Sequence, residues 1–111
     1  MQVLDIAPDV NAALQELKDA LRSIYGEQLR AVYLYGSYAR GSSHAGSDVD
    51  VLIVLDGPVN PAREIDRISE KVTDISFGHD LLISTFPVPS DWFENRQSAF
   101  FINVRREAVA V

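Results

Sequence analysis

The sequence predicts an α/β fold with a small mixed β-sheet flanked by helices. Segments with apolar residues at every third or fourth position alternate along the chain with short segments of strand character. Gly, Pro, Asn and Asp residues separate them. The resulting order is helix, strand, short helix, strand, helix, strand, helix. A length of 111 residues predicts a single domain, residues 1–111, because a chain of this size buries one core and is too short for two.

The first helix is predicted over residues 9–25, where apolar residues recur at steps of four and three. Pro8 suits the first turn of this helix, and Gly26 suits the position after its end. A strand follows at residues 30–35 and stops at Gly36-Ser37. The apolar stripe of the helix consists of Val10, Leu14, Leu17, Leu21 and Ile24.

A second strand and a long helix are predicted in the middle of the chain. Residues 41–47 are rich in Gly and Ser and predict a flexible loop, and an apolar strand then covers residues 48–55. Asn60-Pro61 has the residue types that begin a helix, and Gly78 is expected to end it. The apolar stripe of this helix consists of Ile65, Ile68, Val72 and Ile75.

The C-terminal third is predicted to hold one strand and a helical region. The strand covers residues 81–86, and the prolines at positions 87 and 89 are expected to stop it. Ser90 is expected to cap a helical region that extends to residue 106, with a break near Ser98. Residues 108–111 are predicted to add a short strand.

Composition excludes several classes of protein. A net charge of −6 argues against broad, non-specific nucleic-acid binding, which needs a basic surface. The chain contains no cysteine, so disulfides and thiolate metal sites are excluded. No apolar run approaches the roughly 20 residues that span a bilayer, and the N-terminus lacks the pattern of an export signal. We therefore expect no membrane association and a cytoplasmic location.

Two aspartates at the start of the second strand are the strongest functional signal. Asp48 and Asp50 are two residues apart, so both carboxylates are predicted on the same face of the strand. Two such carboxylates repel each other unless a cation lies between them, and Mg²⁺ prefers hard oxygen ligands and collects nucleotide phosphates. The pattern favours metal-dependent nucleotidyl transfer, and the alternative is a hydrated pair at a strand edge. Val49, between them, is expected to point into the core.

A Gly-Ser turn precedes the acidic pair. Gly36 allows backbone N–H groups to approach an anion closely, and the hydroxyl of Ser37 can donate a hydrogen bond to a terminal phosphate oxygen. The alternative is an ordinary tight turn in which Ser37 caps a helix. The sequence has no Gly-Lys-Ser/Thr and no GxGxxG, so neither a P-loop nor a dinucleotide-binding turn is predicted.

These residues carry a family resemblance. Gly36-Ser37-Tyr38-Ala39-Arg40-Gly41, followed by Ser47-Asp48-Val49-Asp50, resembles the GSxxRG…SDxDxxV signature of the polymerase-β-like nucleotidyltransferase superfamily. The short length is similar to that of its minimal, MNT-type members, which are often encoded beside a HEPN-domain toxin. The resemblance implies the nucleotidyltransferase fold, with the Gly-Ser turn and the acidic pair on neighbouring strands.

The resemblance also implies a reaction. It is the Mg²⁺-dependent transfer of a nucleoside monophosphate, AMP from ATP in the first instance, to a hydroxyl group. The acceptor implied is a Tyr hydroxyl on a HEPN toxin, which would make this chain an antitoxin. The rival hypothesis is a protein that keeps the fold, has lost the chemistry and neutralises a partner by contact. Transfer to a small molecule such as an aminoglycoside ranks lowest, because the chain has no second domain to bind such an acceptor. Self-association is left open.

A third carboxylate completes sites of this kind, and Asp80 is the best candidate. Strand alternation would put Asp80, Leu82 and Ser84 on one face, so Asp80 is expected to join Asp48 and Asp50 as metal ligand and catalytic group. In many relatives the third acid lies further into the strand, where this chain offers Leu82 instead. Asp74 is a weaker candidate because its helical position predicts exposure.

The remaining candidates have two interpretations each. Arg40 is expected to bind nucleotide phosphates or pair with a site carboxylate, or else to form a structural salt bridge. His44 is a lone loop histidine, more often solvated than catalytic. Tyr38 is expected to pack on the short helix or to stack near a base. The aromatic residues Trp92, Phe93, Phe100 and Phe101 lie at helical spacing and are expected in the core or on a partner surface.

Overall fold

The computed structural model describes residues 8–41 and 48–111, and the fold is of the predicted α/β class. Residues 1–7 and 42–47 lie outside the described residues, and the prediction for His44 falls in the second of these ranges. The helices are α1 (Pro8–Tyr25), α2 (Ser37–Arg40), α3 (Pro61–His79), α4 (Ser90–Asn95) and α5 (Ala99–Glu107), and the strands are β1 (Leu29–Tyr35), β2 (Val49–Leu55), β3 (Ile83–Pro89) and β4 (Val109–Ala110). A 3-10 turn, Gly26–Gln28, joins α1 to β1.

The strands form one mixed sheet in the order β3-β2-β1-β4. β1 runs antiparallel to both β2 and β4, whereas β2 and β3 are parallel and are connected through α3. A parallel pair needs a crossover of this kind, and an antiparallel pair needs only a short connection. The mixed sheet predicted from the order of the elements is therefore confirmed.

The sheet separates two apolar layers. Alternate residues of β2 point to opposite faces, so the odd-numbered ones meet α1 and α3, and Leu52 and Val54 meet α4 and α5. Because β2 is covered on both faces, five consecutive residues, Val51 to Leu55, are buried. The layer against α1 and α3 contains Leu14, Leu17, Leu21, Val51, Ile53, Leu55, Ile68 and Ile75.

The ends of the helices follow their cap residues with two exceptions. Asn60 accepts a hydrogen bond from the backbone N–H of Arg63 at the start of α3, and Ser98 does the same for Phe101 at the start of α5. The expected break near Ser98 is confirmed. Ser90 is the first residue of α4 and makes no side-chain cap, which contradicts its predicted role. Gly78 does not end α3, because the helix continues to His79.

The third strand differs from its predicted position. It was expected at residues 81–86 and instead runs from Ile83 through Pro87 to Pro89. The prediction that proline stops it was wrong because β3 is the edge strand of the sheet. Pro87 and Pro89 are two apart, so both backbone nitrogens lie on the same side of the strand. One side of an edge strand forms no hydrogen bonds to a neighbouring strand, so prolines there interrupt no ladder. Among the described helices, none is both long and apolar enough to cross a membrane.

Candidate active site

The connection between β1 and β2 brings the Gly-Ser turn beside the acidic pair. Tyr35, the last residue of β1, is directly opposite Asp50 in the antiparallel ladder. Gly36 follows immediately, so its backbone lies next to the start of β2. Residues that are twelve or more apart in the sequence are thus neighbours. The Gly-Ser turn and the acidic pair lie on neighbouring strands, as the resemblance implied.

Asp50 lies at the centre of a row of three polar side chains that crosses the sheet. Its ladder partner on β1 is Tyr35, and its partner on β3 is Ser84. Directly paired residues share a face of a sheet, so these three side chains project on the side covered by α4 and α5. We call them the polar row. Val49 is 1% exposed on the opposite face, which confirms its predicted place in the core.

The backbone of Gly36 packs directly against the carboxylate of Asp50. A Cβ atom placed on Gly36 would overlap Oδ2 of Asp50, far inside van der Waals contact. Gly36 also has φ +75° and ψ −151°, a conformation open almost only to glycine. Two independent constraints therefore require glycine at this position, and both follow from the close approach of the turn to the acidic pair.

The electrostatics of the site disfavour two unneutralised charges. Burial raises the pKa of Asp50, the charge of Asp48 raises it further, and Arg40 lowers it. Burial also raises the pKa of Tyr35, and the charge of Asp50 adds to this effect. These shifts show that Asp48, Arg40 and Tyr35 all lie within electrostatic reach of Asp50. The tyrosine hydroxyl therefore stays protonated at neutral pH and is available as a hydrogen-bond donor.

Arg40 forms an ion pair within the chain, on the far side of the turn. Its Nη1 atom lies 3.5 Å from Oε2 of Glu107 at the end of α5, and about half of the arginine side chain is exposed. An exposed ion pair of this length is weak, so the guanidinium can be drawn to a more highly charged partner at small cost. The structure thus shows the structural salt bridge that was one interpretation of Arg40. Arg40 is also close enough to Asp50 for the other interpretation, in which it binds phosphates or pairs with a site carboxylate.

The short helix α2 contributes geometry more than charge. It consists of four residues, Ser37–Arg40, with Gly36 at the N-cap position and Gly41 at the C-cap with φ +73°. One helical turn has only a small macrodipole, so backbone N–H groups rather than a helix dipole would bind an anion here. Ser37 is the first helical residue and not the N-cap that the alternative interpretation assumed. Tyr38 packs against the α1 and α3 layer.

Asp80 is not where strand alternation would place it. It is the exposed C-cap of α3, with φ +52°, and its backbone N–H is bonded to the carbonyl oxygens of Phe77 and Ser76. The left-handed residue breaks the alternation before β3 begins at Ile83. Over the described ranges, no group of three His, Cys, Asp or Glu side chains is placed to hold a metal ion. The structure therefore brings Asp48 and Asp50 together and does not add Asp80 to them.

The positions beside the acidic pair on β3 are occupied by other residues. Ser84 is the neighbour of Asp50, and the carbonyl oxygen of Leu82 accepts a hydrogen bond of 2.9 Å from the N–H of Val49, next to Asp48. Leu82 and Ser84 are both exposed. Ser84 was named in the sequence only as a companion of Asp80. Its place beside Asp50 depends on the register between the parallel strands β2 and β3, which cannot be predicted from any local sequence pattern.

An aromatic ring covers the acidic end of the sheet. The ring of Phe100, on α5, is centred 5.6 Å from the ring of Tyr35 and 5.6 Å from the ring of Phe86. Tyr35 is level with Asp50 on one side of β2, and Phe86 is level with Leu52 on the other. Phe100 therefore lies over β2, between the levels of Asp50 and Leu52. Spacing alone predicted core or partner surface for Phe100 and missed this position.

A divalent cation fits the acidic pair. Asp48 and Asp50 provide hard oxygen ligands, and burial, together with the charge of Asp48, raises the pKa of Asp50. Mg²⁺ is commonly held by one or two carboxylates, with the remaining positions taken by water and substrate phosphates. Two carboxylates beside the half-buried Gly36-Ser37 turn meet that requirement.

Comparison with known proteins gives an independent result. The family model of the nucleotidyltransferase domain matches residues 14–98. A candidate protein adenylyltransferase of Methanocaldococcus jannaschii is 29% identical over 96 residues, covering 86% of this chain and 90% of that protein. The spectinomycin 9-adenylyltransferase of Staphylococcus aureus is 35% identical over 66 residues, covering 60% of this chain and 25% of that enzyme.

The fold has known counterparts as well. A crystal structure of a toxin–antitoxin with AMP-PNP superimposes with a TM-score of 0.61 at 18% identity, covering 94% of this chain and 72% of that chain. The similarity shows a shared fold. The family match includes both the Gly-Ser turn and the acidic pair, which are the parts of the structure that the fold brings together. The chain therefore belongs to the nucleotidyltransferase domain family and is an enzyme of that class.

Proposed function

We propose that this chain transfers AMP from ATP to a hydroxyl group, with Mg²⁺ bound at Asp48 and Asp50. The observation that carries the proposal is the packing of the Gly36 backbone against the Asp50 carboxylate. This contact puts the turn that would bind phosphate beside the pair that would bind the cation, as a metal–triphosphate complex requires. The similarity to relatives named as adenylyltransferases supports ATP as the donor.

The roles of the residues follow from their positions. Gly36 and Ser37 would bind the triphosphate through backbone N–H groups and the serine hydroxyl. Arg40 would exchange its weak ion pair with Glu107 for the phosphates. Asp48 and Asp50 would hold Mg²⁺, which would supply positive charge that offsets the charge of the triphosphate. Neutralisation of the phosphates is the largest contribution expected in this class of chemistry.

The reaction replaces one phosphorus–oxygen bond with another. The oxygen of the acceptor hydroxyl forms a bond to the α-phosphorus, and the bond from that phosphorus to the bridging oxygen of pyrophosphate breaks. The products are the adenylylated acceptor, pyrophosphate and the proton of the hydroxyl group. Asp80 is proposed as the general base. Because it lies apart from the acidic pair, this role requires movement of the connection between α3 and β3. We keep it as a proposal that a single substitution tests.

A protein is the proposed acceptor. The exposed apolar residues Phe77 and Leu82 line a groove of about 470 Å³ that includes Asp80, and they are 83% and 62% exposed. Leu82 connects the groove to the start of β2, because its carbonyl oxygen accepts a hydrogen bond from the N–H of Val49. Exposed apolar surface of this kind indicates a protein partner more than a small polar acceptor. The descriptions of a relative as a protein adenylyltransferase and of a structural neighbour as a toxin–antitoxin support the same choice.

Within that proposal, the partner is a HEPN-domain toxin and this chain acts as its antitoxin in the cytoplasm. The family resemblance supports the identity of the partner. Transfer to an aminoglycoside-like molecule has less support, because the match to the spectinomycin enzyme covers only 25% of that enzyme.

The test is labelling of the partner by radioactive ATP in the presence of Mg²⁺. Wild-type chain should transfer label from [α-³²P]ATP to the HEPN protein and release pyrophosphate, and Asp48→Asn with Asp50→Asn should abolish both. Calorimetric titration of the double variant should show no metal-dependent ATP binding, while its melting temperature stays at or above that of the wild type. Unchanged metal-dependent binding in the double variant would remove Asp48 and Asp50 from the site.

The second candidate function is neutralisation of the partner by contact alone. One observation favours it: over the described parts of the chain, no third acidic side chain joins the pair. Under this alternative, ATP binding persists but no label reaches the partner, and the double variant still protects cells from the partner. Labelling of the partner together with loss of protection in the double variant would exclude this alternative.

A further inference from the structure

We infer that Phe100 is the contact surface for the nucleobase of the bound nucleotide. The inference rests on the proposed function, because it assigns the base of the same ATP whose phosphates lie at the acidic pair. Nothing in the family match or the descriptions of the relatives assigns a residue to the base. Three properties of Phe100 lead to this inference: its position over β2, its partial exposure and the neighbouring rings that hold it.

The position of Phe100 is set by contacts with two rings that lie at different levels along β2. Phe100 touches Tyr35, which is level with Asp50, and Phe86, which is level with Leu52. Two residues along a strand cover about 6.6 Å, which is the scale of the ribose that separates a base from its phosphates. A triphosphate bound at Asp50 can therefore reach Phe100 with its base and lie along the sheet.

The ring is held on one side and open on another. Phe101 is buried at 4% exposure, and its ring is centred 5.1 Å from that of Phe100 at an angle of 88°. Phe86 and Tyr35 complete an aromatic wall, yet 37% of Phe100 remains exposed. Aromatic residues that belong only to a core are normally covered, whereas a ring fixed by neighbours with one open part is the form of a stacking platform.

Tyr35 adds a polar group to the same wall. Its ring is perpendicular to that of Phe100, at 89°, and its phenol hydroxyl is a hydrogen-bond donor. A protonated hydroxyl can donate to a ring nitrogen or a carbonyl of a base. Contact with an aromatic ring accepts every base, since all have a π-face, so any preference for adenine would come from Tyr35 and not from Phe100.

The experiment compares ATP with inorganic tripolyphosphate, which has the phosphates and no base. Calorimetric titration with Mg²⁺ is carried out on wild-type chain, Phe100→Ala, Phe100→Leu and a control, Ile102→Ala. Ile102 is on the same helix and is 43% exposed, but it takes no part in the aromatic wall. Removing a stacking residue typically weakens binding of a base by about 5- to 150-fold.

We expect Phe100→Ala to weaken ATP binding by about tenfold or more and to leave tripolyphosphate binding within about twofold. Phe100→Leu, which keeps apolar volume and thereby packing, should still lose part of the ATP affinity, and Ile102→Ala should change neither ligand. Unchanged ATP affinity in Phe100→Leu, or equal losses for ATP and tripolyphosphate, would overturn the inference.

Wild-type chain separates this inference from the proposed function. If it binds tripolyphosphate with Mg²⁺ as tightly as ATP, the base has no contact surface, and the inference fails while the phosphate site stands. If it binds neither ligand, the proposed function fails and the inference fails with it. Tighter binding of ATP than of tripolyphosphate, lost selectively in the Phe100 variants, supports both.

Discussion

Substitution of Gly36 by alanine tests whether the turn and the acidic pair form one site. The new Cβ atom would overlap Oδ2 of Asp50 and would require a non-glycine residue at φ +75°, ψ −151°. A residue in this region of backbone space costs about 1–3 kcal/mol. Displacing the Asp50 side chain from its rotamer adds about 0.5–1.5 kcal/mol. For a chain of this size each kcal/mol lowers the melting temperature by about 4–8 °C.

The chain contains a matched control. Gly57 also has a positive φ, +79°, but a Cβ atom there would meet nothing within 4 Å. Gly57→Ala therefore carries a backbone cost of about 1–2 kcal/mol without any contact with the site. Thermal melting should place Gly36→Ala below Gly57→Ala, and metal-dependent ATP binding should be lost in Gly36→Ala only.

A double-mutant cycle isolates the contact itself. Asp50→Ala removes the carboxylate that the new Cβ would meet, so Gly36→Ala should cost less stability in that background than in the wild type. A coupling free energy of about 0.5 kcal/mol or more is expected for residues in contact. Equal costs in the two backgrounds, or equal behaviour of Gly36→Ala and Gly57→Ala in both assays, would show that the reasoning from the contact is wrong.

Three other substitutions test the polar row and its neighbours. Because the pKa of Asp50 is raised in the folded state, protonated Asp50 adds stability below its ordinary pKa of 3.8, and that stability is lost as pH rises through the folded pKa. Asp50→Asn should therefore melt above the wild type at neutral pH without metal, with the difference shrinking as pH falls; a lower melting temperature at pH 7 would contradict this. Ser84→Asp should lower the melting temperature without metal and bind Mn²⁺ about tenfold more tightly, equivalent to 1.4 kcal/mol, and weaker Mn²⁺ binding in calorimetry would refute the register argument. If Asp80 acts as the general base, Asp80→Ala should lower turnover by about 10²-fold, typical of a missing general acid or base, and turnover within about twofold of the wild type would remove Asp80 from the site.

The sequence predicted best those features that depend on neighbouring residues alone. The alternation around Val49 put it in the core and Asp50 on the opposite face, and the glycine at position 36 indicated a turn that only glycine adopts. Both depend on the chemistry of a few consecutive residues. They required no knowledge of how distant segments pack.

The positions of Asp80, Pro87 and Phe100 were not predicted for one reason: they depend on how segments distant in the sequence pack together. α3 continues through Gly78 and ends on a left-handed Asp80, so β3 begins only at Ile83 and Asp80 lies outside the alternation that places Ser84 beside Asp50. Pro87 fits a strand because that strand lies at the edge of the sheet. Phe100 reaches the acidic end because α5 packs across β2. No local pattern carries this information.

The two edges of the sheet constrain how the protein meets other chains. β4 is only two residues long, and β3 has prolines at two of its seven positions. Short strands and prolines are common means by which proteins prevent their sheets from joining edge to edge. A second copy or a partner would therefore find little continuous backbone to pair with, apart from the first part of β3 next to the acidic pair. Assembly is directed towards side-chain surfaces, and within the described residues the proline-free part of the β3 edge, Ile83 to Phe86, is level with the start of β2, beside the acidic pair.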